Sequence, residues 1–202
     1  RNHIHHPSAP PGAKWNTSPA RVVTAQDAVL GLKRLCNPAN PVGAPGYYES
    51  TIVGMQAYCD GFASVPATTS AIAAYINGHD IAGITATDDS TVVFRLTQPA
   101  SDFLNILAMP FASPAPREYL SYVPDSAEFR QHTISDGPYQ ITSYVPNQQI
   151  QLTRNPAWAQ SADPIRHQYV EGISVTMGQD TAAVQQQIQA GTADLDWDTV
   201  VP

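Results

Sequence analysis

The sequence predicts a mixed α/β (α+β) chain, and three observations carry the prediction. Residues 81–97 and 139–154 each hold two short runs that alternate apolar and polar side chains around turn-forming residues, the pattern of a hairpin. Residues 24–35, 68–77 and 180–190 space their apolar side chains at helical intervals. Hydrophobic residues at 43% suffice for a core, while charged residues at only 13% exclude a highly charged helical bundle.

Taken in order, residues 1–6 read as the end of a strand, broken by Pro7, Pro10 and Pro11. Thr24 is placed to cap a helix, with Asp27 reaching back in a capping box, and Ala25, Ala28, Val29, Leu32 and Leu35 forming its apolar face. Lys33 and Arg34 fall in its last turn, where the helix dipole favours cations. The segment to Pro66 reads as mostly irregular, with a short helix near residues 48–55; a second helix spans 68–77 and closes at Gly78. The first hairpin pairs 81–87 with 91–97 around Asp88-Asp89-Ser90. Pro99 opens a helical stretch with Phe103, Leu104, Ile106 and Leu107 on its buried side, and a short helix follows near 117–122. The second hairpin pairs 139–144 with 149–154 around Pro146-Asn147. Residues 169–177 read as a strand, 180–190 as a helix stopped by Gly191, and 193–198 as a strand. That last unit implies a right-handed parallel crossover. Composition turns near Met109-Pro110, dividing the chain into 1–108 and 109–202.

The charge balance narrows the function. With 17 acidic against 10 basic residues and two lysines, Lys14 and Lys33, the chain lacks the clustered cations of a nucleic-acid binder. No apolar run approaches the roughly 18 residues of a membrane span. There is no Gly-x-Ser-x-Gly elbow, His-Glu-x-x-His pair, phosphate loop or dinucleotide fingerprint, so no enzyme class is indicated and no cofactor is expected. His3, His5 and His6 could offer imidazoles but read as a solvated strand end, and His79, His132 and His167 are isolated. Asp88-Asp89 suits a turn for backbone reasons. Asp194, Asp196 and Asp198 would share one strand face, at an edge or toward a ligand.

Cys36 and Cys59 read as a disulfide closing a Pro-, Gly- and Asn-rich loop. Neither cysteine sits in a Cys-x-x-Cys pair or beside a histidine, so a metal or nucleophile role has no local support. A disulfide implies an oxidising compartment. The chain opens at Arg1 without an initiator Met and stops at Pro202 inside an expected strand, so it is read as a piece of a longer polypeptide, and a missing leader says nothing about location.

The order of short motifs says more than any one of them. Lys14-Trp15, Val23-Thr24-Ala25-Gln26-Asp27-Ala28-Val29, Lys33-Arg34-Leu35, residues 84–92, Ser135-Asp136-Gly137-Pro138-Tyr139, Arg154-Asn155-Pro156-Ala157-Trp158 and Ala190-Gly191-Thr192-Ala193-Asp194 follow one another along the chain. In this it resembles the peptide/oligopeptide-binding family 5 (cluster C) of solute-binding proteins of ABC importers, from about Lys14 to the end. The Pro7–Pro11 stretch and the cysteine pair depart from the usual pattern. The resemblance implies a partial periplasmic-binding-protein type II-like clamshell, with 1–108 as the family's extra subdomain and 109–202 as part of the first lobe, ending at the hinge.

It also implies an extracytoplasmic monomer, lipid-anchored in its full-length form, that hands oligopeptides or other small solutes to ABC permease subunits in the membrane. A peptide sensor not coupled to import, or a binder of oligosaccharide, nickel or haem, are the alternatives. Tyr47 and Tyr48 align with a loop that places an aromatic ring over the cleft in peptide-binding relatives, and Trp197 and Asp198 fall where the chain leaves for the other lobe. These four are the candidate ligand-binding residues. For Tyr47 and Trp197 the competing reading is packing at the subdomain junction.

Overall fold

In the computed structural model, residues 3–4, 21–43 and 45–197 are described. Lys14-Trp15, the Pro7–Pro11 stretch, His5, His6 and Asp198 lie outside them. Strands β1 (His3–Ile4) and β2 (Arg21–Val22) pair antiparallel. Helix α1 (Ala25–Lys33) starts as expected: Thr24 is extended, and its N–H donates to Asp27 Oδ2 at 2.8 Å.

The basic residues at the end of α1 do tertiary rather than dipole work. Lys33 is buried, its Nζ donating to the Ile76 carbonyl at 3.0 Å and to Asp80 Oδ1 at 2.7 Å. That hydrogen bond holds the Asp80 carboxyl below its ordinary range. The Arg34 guanidinium lies 4.9 Å over the Tyr119 ring and 5.2 Å over Phe129. Gly31 lets α1 touch backbone directly, since a Cβ there would overlap the Ser113 carbonyl, and Ala115 N–H donates to the Asp27 carbonyl at 2.9 Å.

The segment to Pro66 is irregular through about residue 45 and at 50–54, and the short helix expected near 48–55 is replaced by two helices, one on either side of 50–54. The two are α2 (Gly46–Glu49) and α3 (Met55–Ala63), followed by α4 (Thr69–Gly78). Helix α3 starts from Gly54, whose φ of 77° is costly for any residue with a Cβ. Tyr48, Ile52 and Met55, all 0% exposed, lie inside the loop closed by the cysteines, and Phe62, also 0% exposed, follows it in α3. The Cys36–Cys59 disulfide is present, tying the chain just after α1 to α3 across 5.2 Å between Cα atoms. Phe62 stacks on Tyr75 at 4.6 Å, and Tyr75 Oη donates to the Tyr58 carbonyl at 2.8 Å.

Strands β3 (Ile84–Asp88) and β4 (Thr91–Phe94) form the first hairpin, where Ser90 N–H donates to Asp88 Oδ1 at 2.8 Å. In α5 (Phe103–Leu107), Phe103 and Ile106 are buried, but Leu104 is 77% exposed and does not share their side. The chain then runs through 3-10 turns at Pro110–Ala112 and Arg117–Ser121 to α6 (Ala127–Arg130), capped by Ser126 Oγ. The apolar core does not stop at Met109: Ala115 and Tyr119 belong to it, and Phe129 and Ile134 pack against it.

The second hairpin is β5 (Tyr139–Val145) and β6 (Gln149–Arg154), turning through Asn147 at φ 59°. β7 (Gly172–Thr176), shorter than the 169–177 expected, joins it in the antiparallel order β5-β6-β7. Helix α7 (Thr181–Gln189) is capped by Asp180, whose Oδ1 accepts from Ala183 N–H at 2.8 Å. The strand expected at 193–198 is absent through Trp197, and with it the parallel crossover: among the described residues β7 has one strand neighbour, β6, and pairs with it antiparallel. Asp194 and Asp196 therefore share no strand face.

No residue of β5, β6, β7 or α7 is fully buried. Ile150 faces Val175 and Leu152 faces Ile173 across the ladder, giving an apolar sheet face that stays half-covered.

Candidate ligand-facing residues

Tyr47 and Tyr48 are successive residues of α2, so about 100° of helical rotation separates their side chains. That rotation decides their roles. Tyr48 is fully buried, and its Oη donates to the Ile106 carbonyl of α5 at 3.0 Å. Burial raises its phenol above the ordinary range. Its ring is core, bracing α2 against α5, and is not presented to a ligand. Tyr47 points the other way and is 57% exposed.

Past α7 the chain turns at Gly191 and runs out with Leu195 and Trp197 exposed, Trp197 at 71%. Asp198 lies outside the described residues. Tyr47 and Trp197 are the candidates whose rings stay exposed. Among the described residues, His79 lies against Tyr75, His132 against Tyr122 and His167 against Tyr169, each in a different place.

A cleft the sequence did not suggest lies where the start of α1, the end of α4 and the 117–121 turn meet. It is lined by Thr24, Gln26, Asn77, Arg117 and Ser121, among others, with a volume of about 660 Å³. Its residues are dispersed over more than 90 positions and share no motif, so no spacing in the sequence could have found it.

The short motifs of the sheet are joined to each other. Asn155 is 1% exposed, and its Nδ2 donates to the carbonyls of Ser135 and Gly137 at 3.1 and 2.9 Å, while its backbone N–H donates to the Pro138 carbonyl at 2.9 Å. Trp158 Nε1 donates to Asp163 Oδ2 at 3.2 Å. Burial works to raise the Asp163 carboxyl, but N–H donors from Arg166 and Trp158 hold it down to about 2. Asn155-Pro156-Ala157-Trp158 and Gly137-Pro138-Tyr139 thus form one hydrogen-bonded corner of the scaffold.

A mixed helix-and-sheet chain with four exposed aromatic side chains, Tyr47, Phe111, Tyr169 and Trp197, and no catalytic constellation among its described residues has the make-up of a binding protein. The chain belongs to the bacterial extracellular solute-binding proteins, family 5, whose family model (the middle part) matches residues 11–200. It is 25% identical, over 92% of its length, to the probable deoxycholate-binding periplasmic protein YgiS of Escherichia coli K12, of which it covers 31%. It is 26% identical, over 77% of its length, to the periplasmic oligopeptide-binding protein OppA of Salmonella typhimurium LT2, of which it covers 26%. Among solved structures, clavulanic acid biosynthesis oligopeptide binding protein 2 superposes with a TM-score of 0.65 at 25% identity, covering 85% of this chain and 28% of that one. The chain therefore spans between a quarter and a third of the length of these relatives.

Proposed function

We propose that the full protein is the extracytoplasmic receptor of an ABC importer, capturing oligopeptides and passing them to a membrane permease. Family membership over residues 11–200, together with a relative named for oligopeptide binding, is the observation that carries this reading. In it, residues 1–108 make up the family's extra subdomain, 109–202 part of the first lobe, and Tyr47 and Trp197 contribute aromatic faces to the ligand side. Such faces suit a receptor that reads peptide backbone rather than one side chain, because they gain contact area without demanding a particular polar partner.

A second reading is favoured by the relative named for deoxycholate: the same exposed rings would cover the apolar face of an amphipathic steroid acid. One thermal-shift screen of the full-length protein separates the two. A ligand at 100 times its dissociation constant stabilises the folded state by about 2.7 kcal/mol. A mixed-sequence peptide library is expected to raise the melting temperature, while deoxycholate below its micelle concentration leaves it unchanged. The reverse result selects the steroid reading, and no shift with either overturns both.

A further inference from the structure

Cys36 follows α1, Glu49 ends α2 and Cys59 lies within α3, so three elements bring three potential donors to one place. Both sulfurs and a Glu49 carboxylate oxygen lie within 4.8 Å of one another. The cysteines are 7% and 4% exposed and Glu49 is half-buried. A pocket of about 290 Å³, bordered by Asn37, Pro38, Pro45, Glu49 and Asp60, opens onto the pair and supplies an entry path. Glu49 Oε1 sits 3.9 Å from Cys36 Sγ. A bridged sulfur has no proton to donate, so in the oxidised chain this carboxylate gains no hydrogen bond from the contact.

We propose that these residues form a redox-gated metal site, independent of the solute-binding reading. When a dithiol or phosphine reductant opens the bridge, the Cys36 and Cys59 thiolates and the Glu49 carboxylate take up one borderline-soft divalent cation of the zinc type. Reduction delivers two electrons and two protons to the S–S bond, leaving two thiols and the oxidised reductant. Metal uptake then displaces the two thiol protons, with no further electron transfer.

Bond lengths of about 2.3 Å to sulfur and 2.0–2.2 Å to oxygen set tetrahedral donor separations of roughly 3.5–3.8 Å. The existing spacing reaches these by side-chain rotation, since the two Cα atoms are already 5.2 Å apart. Water entering from the pocket fills the fourth position. Two thiolates select against magnesium and calcium, which prefer oxygen. While the bridge is closed no thiolate exists and the site is shut.

These are the only two cysteines of the 202-residue chain, so sulfur-to-cadmium charge transfer in the ultraviolet reports this pair alone. The chain is reduced with a neutral phosphine under argon, freed of reductant and titrated with Cd²⁺. The charge-transfer band is expected to saturate at one equivalent, to be displaced by Zn²⁺, and to be absent from the unreduced chain. Glu49→Gln and Glu49→Ala should each weaken binding about tenfold or more. If reduction loosens the fold, the cation should restore the native circular dichroism in the parent chain only. Absence of a band at one equivalent overturns the proposal. So does equal affinity in the Glu49 variants, because that is what two thiols chelating without the folded site would give.

Discussion

Tyr48→Ala is expected to lower the unfolding free energy by about 3–5 kcal/mol, the range for truncating a large buried aromatic side chain. Its ring is fully buried beside Ile52, Met55 and Phe62 in one core, and its hydroxyl satisfies the Ile106 carbonyl. Tyr48→Phe keeps the ring and removes only that donor, so about 1 kcal/mol should be lost. Tyr47→Ala, one residue earlier on the exposed side of α2, should stay within about 0.5 kcal/mol of the parent. Urea unfolding followed by circular dichroism measures all three. A Tyr48→Ala variant as stable as the parent would remove Tyr48 from the core and return it to the ligand candidates.

Replacing both cysteines, Cys36→Ser with Cys59→Ser, is expected to cost about 3 kcal/mol, since the bridge closes a loop of 23 positions in the unfolded chain. For a chain of this size that corresponds to a fall of roughly 6–12 °C in the unfolding midpoint. Calorimetry of the parent and the double variant at one pH gives the number directly. A fall under about 2 °C would mean that the unfolded loop is already held together by its own apolar residues. Tyr48, Ile52 and Met55 all lie inside it, so this is the outcome against which the chain-entropy argument is exposed.

The parts of the fold written in local chemistry were legible. The Thr24–Asp27 capping box, the Asp88–Ser90 turn, both hairpins and the Asp180 start of α7 all rest on interactions within three residues of one another or on period-two patterns. Helix α3 was missed although Met55, Tyr58, Cys59 and Phe62 repeat at helical spacing. It begins at a glycine in place of a capping side chain and follows a stretch rich in Pro and Gly, so the punctuation outweighed the period. The strand expected at 193–198 failed for a different reason. A strand is settled by the neighbour that takes its hydrogen bonds, and among the described residues no strand lies beside 193–197, the free edge of β7 staying unpaired.

The candidate site was legible only in part, for the same kind of reason. The adjacent pair Tyr47-Tyr48 announces aromatic surface, but which ring faces outward depends on the phase of a four-residue helix, and no sequence period is long enough to fix that. Glu49 beside the cysteines was beyond reach, because its approach to Cys36 and Cys59 depends on how α2 and α3 pack. The half-covered face of β5–β7 and α7 has a counterpart in coverage, since the chain spans only 31% and 26% of two of its relatives.

The central claim of the proposed function is that solute is held between this chain's exposed aromatic side and polypeptide beyond these residues. Hinge-closing receptors bind tightly because the closed state makes contacts from both sides that the open state lacks. Calorimetric titration of the full-length protein and of the 202-residue chain with one peptide mixture tests the claim most directly. The account predicts saturable micromolar or tighter binding by the full-length protein, and no binding by the chain alone at the same concentrations. A sub-micromolar constant for the chain alone would contradict it, placing a complete solute site within these residues.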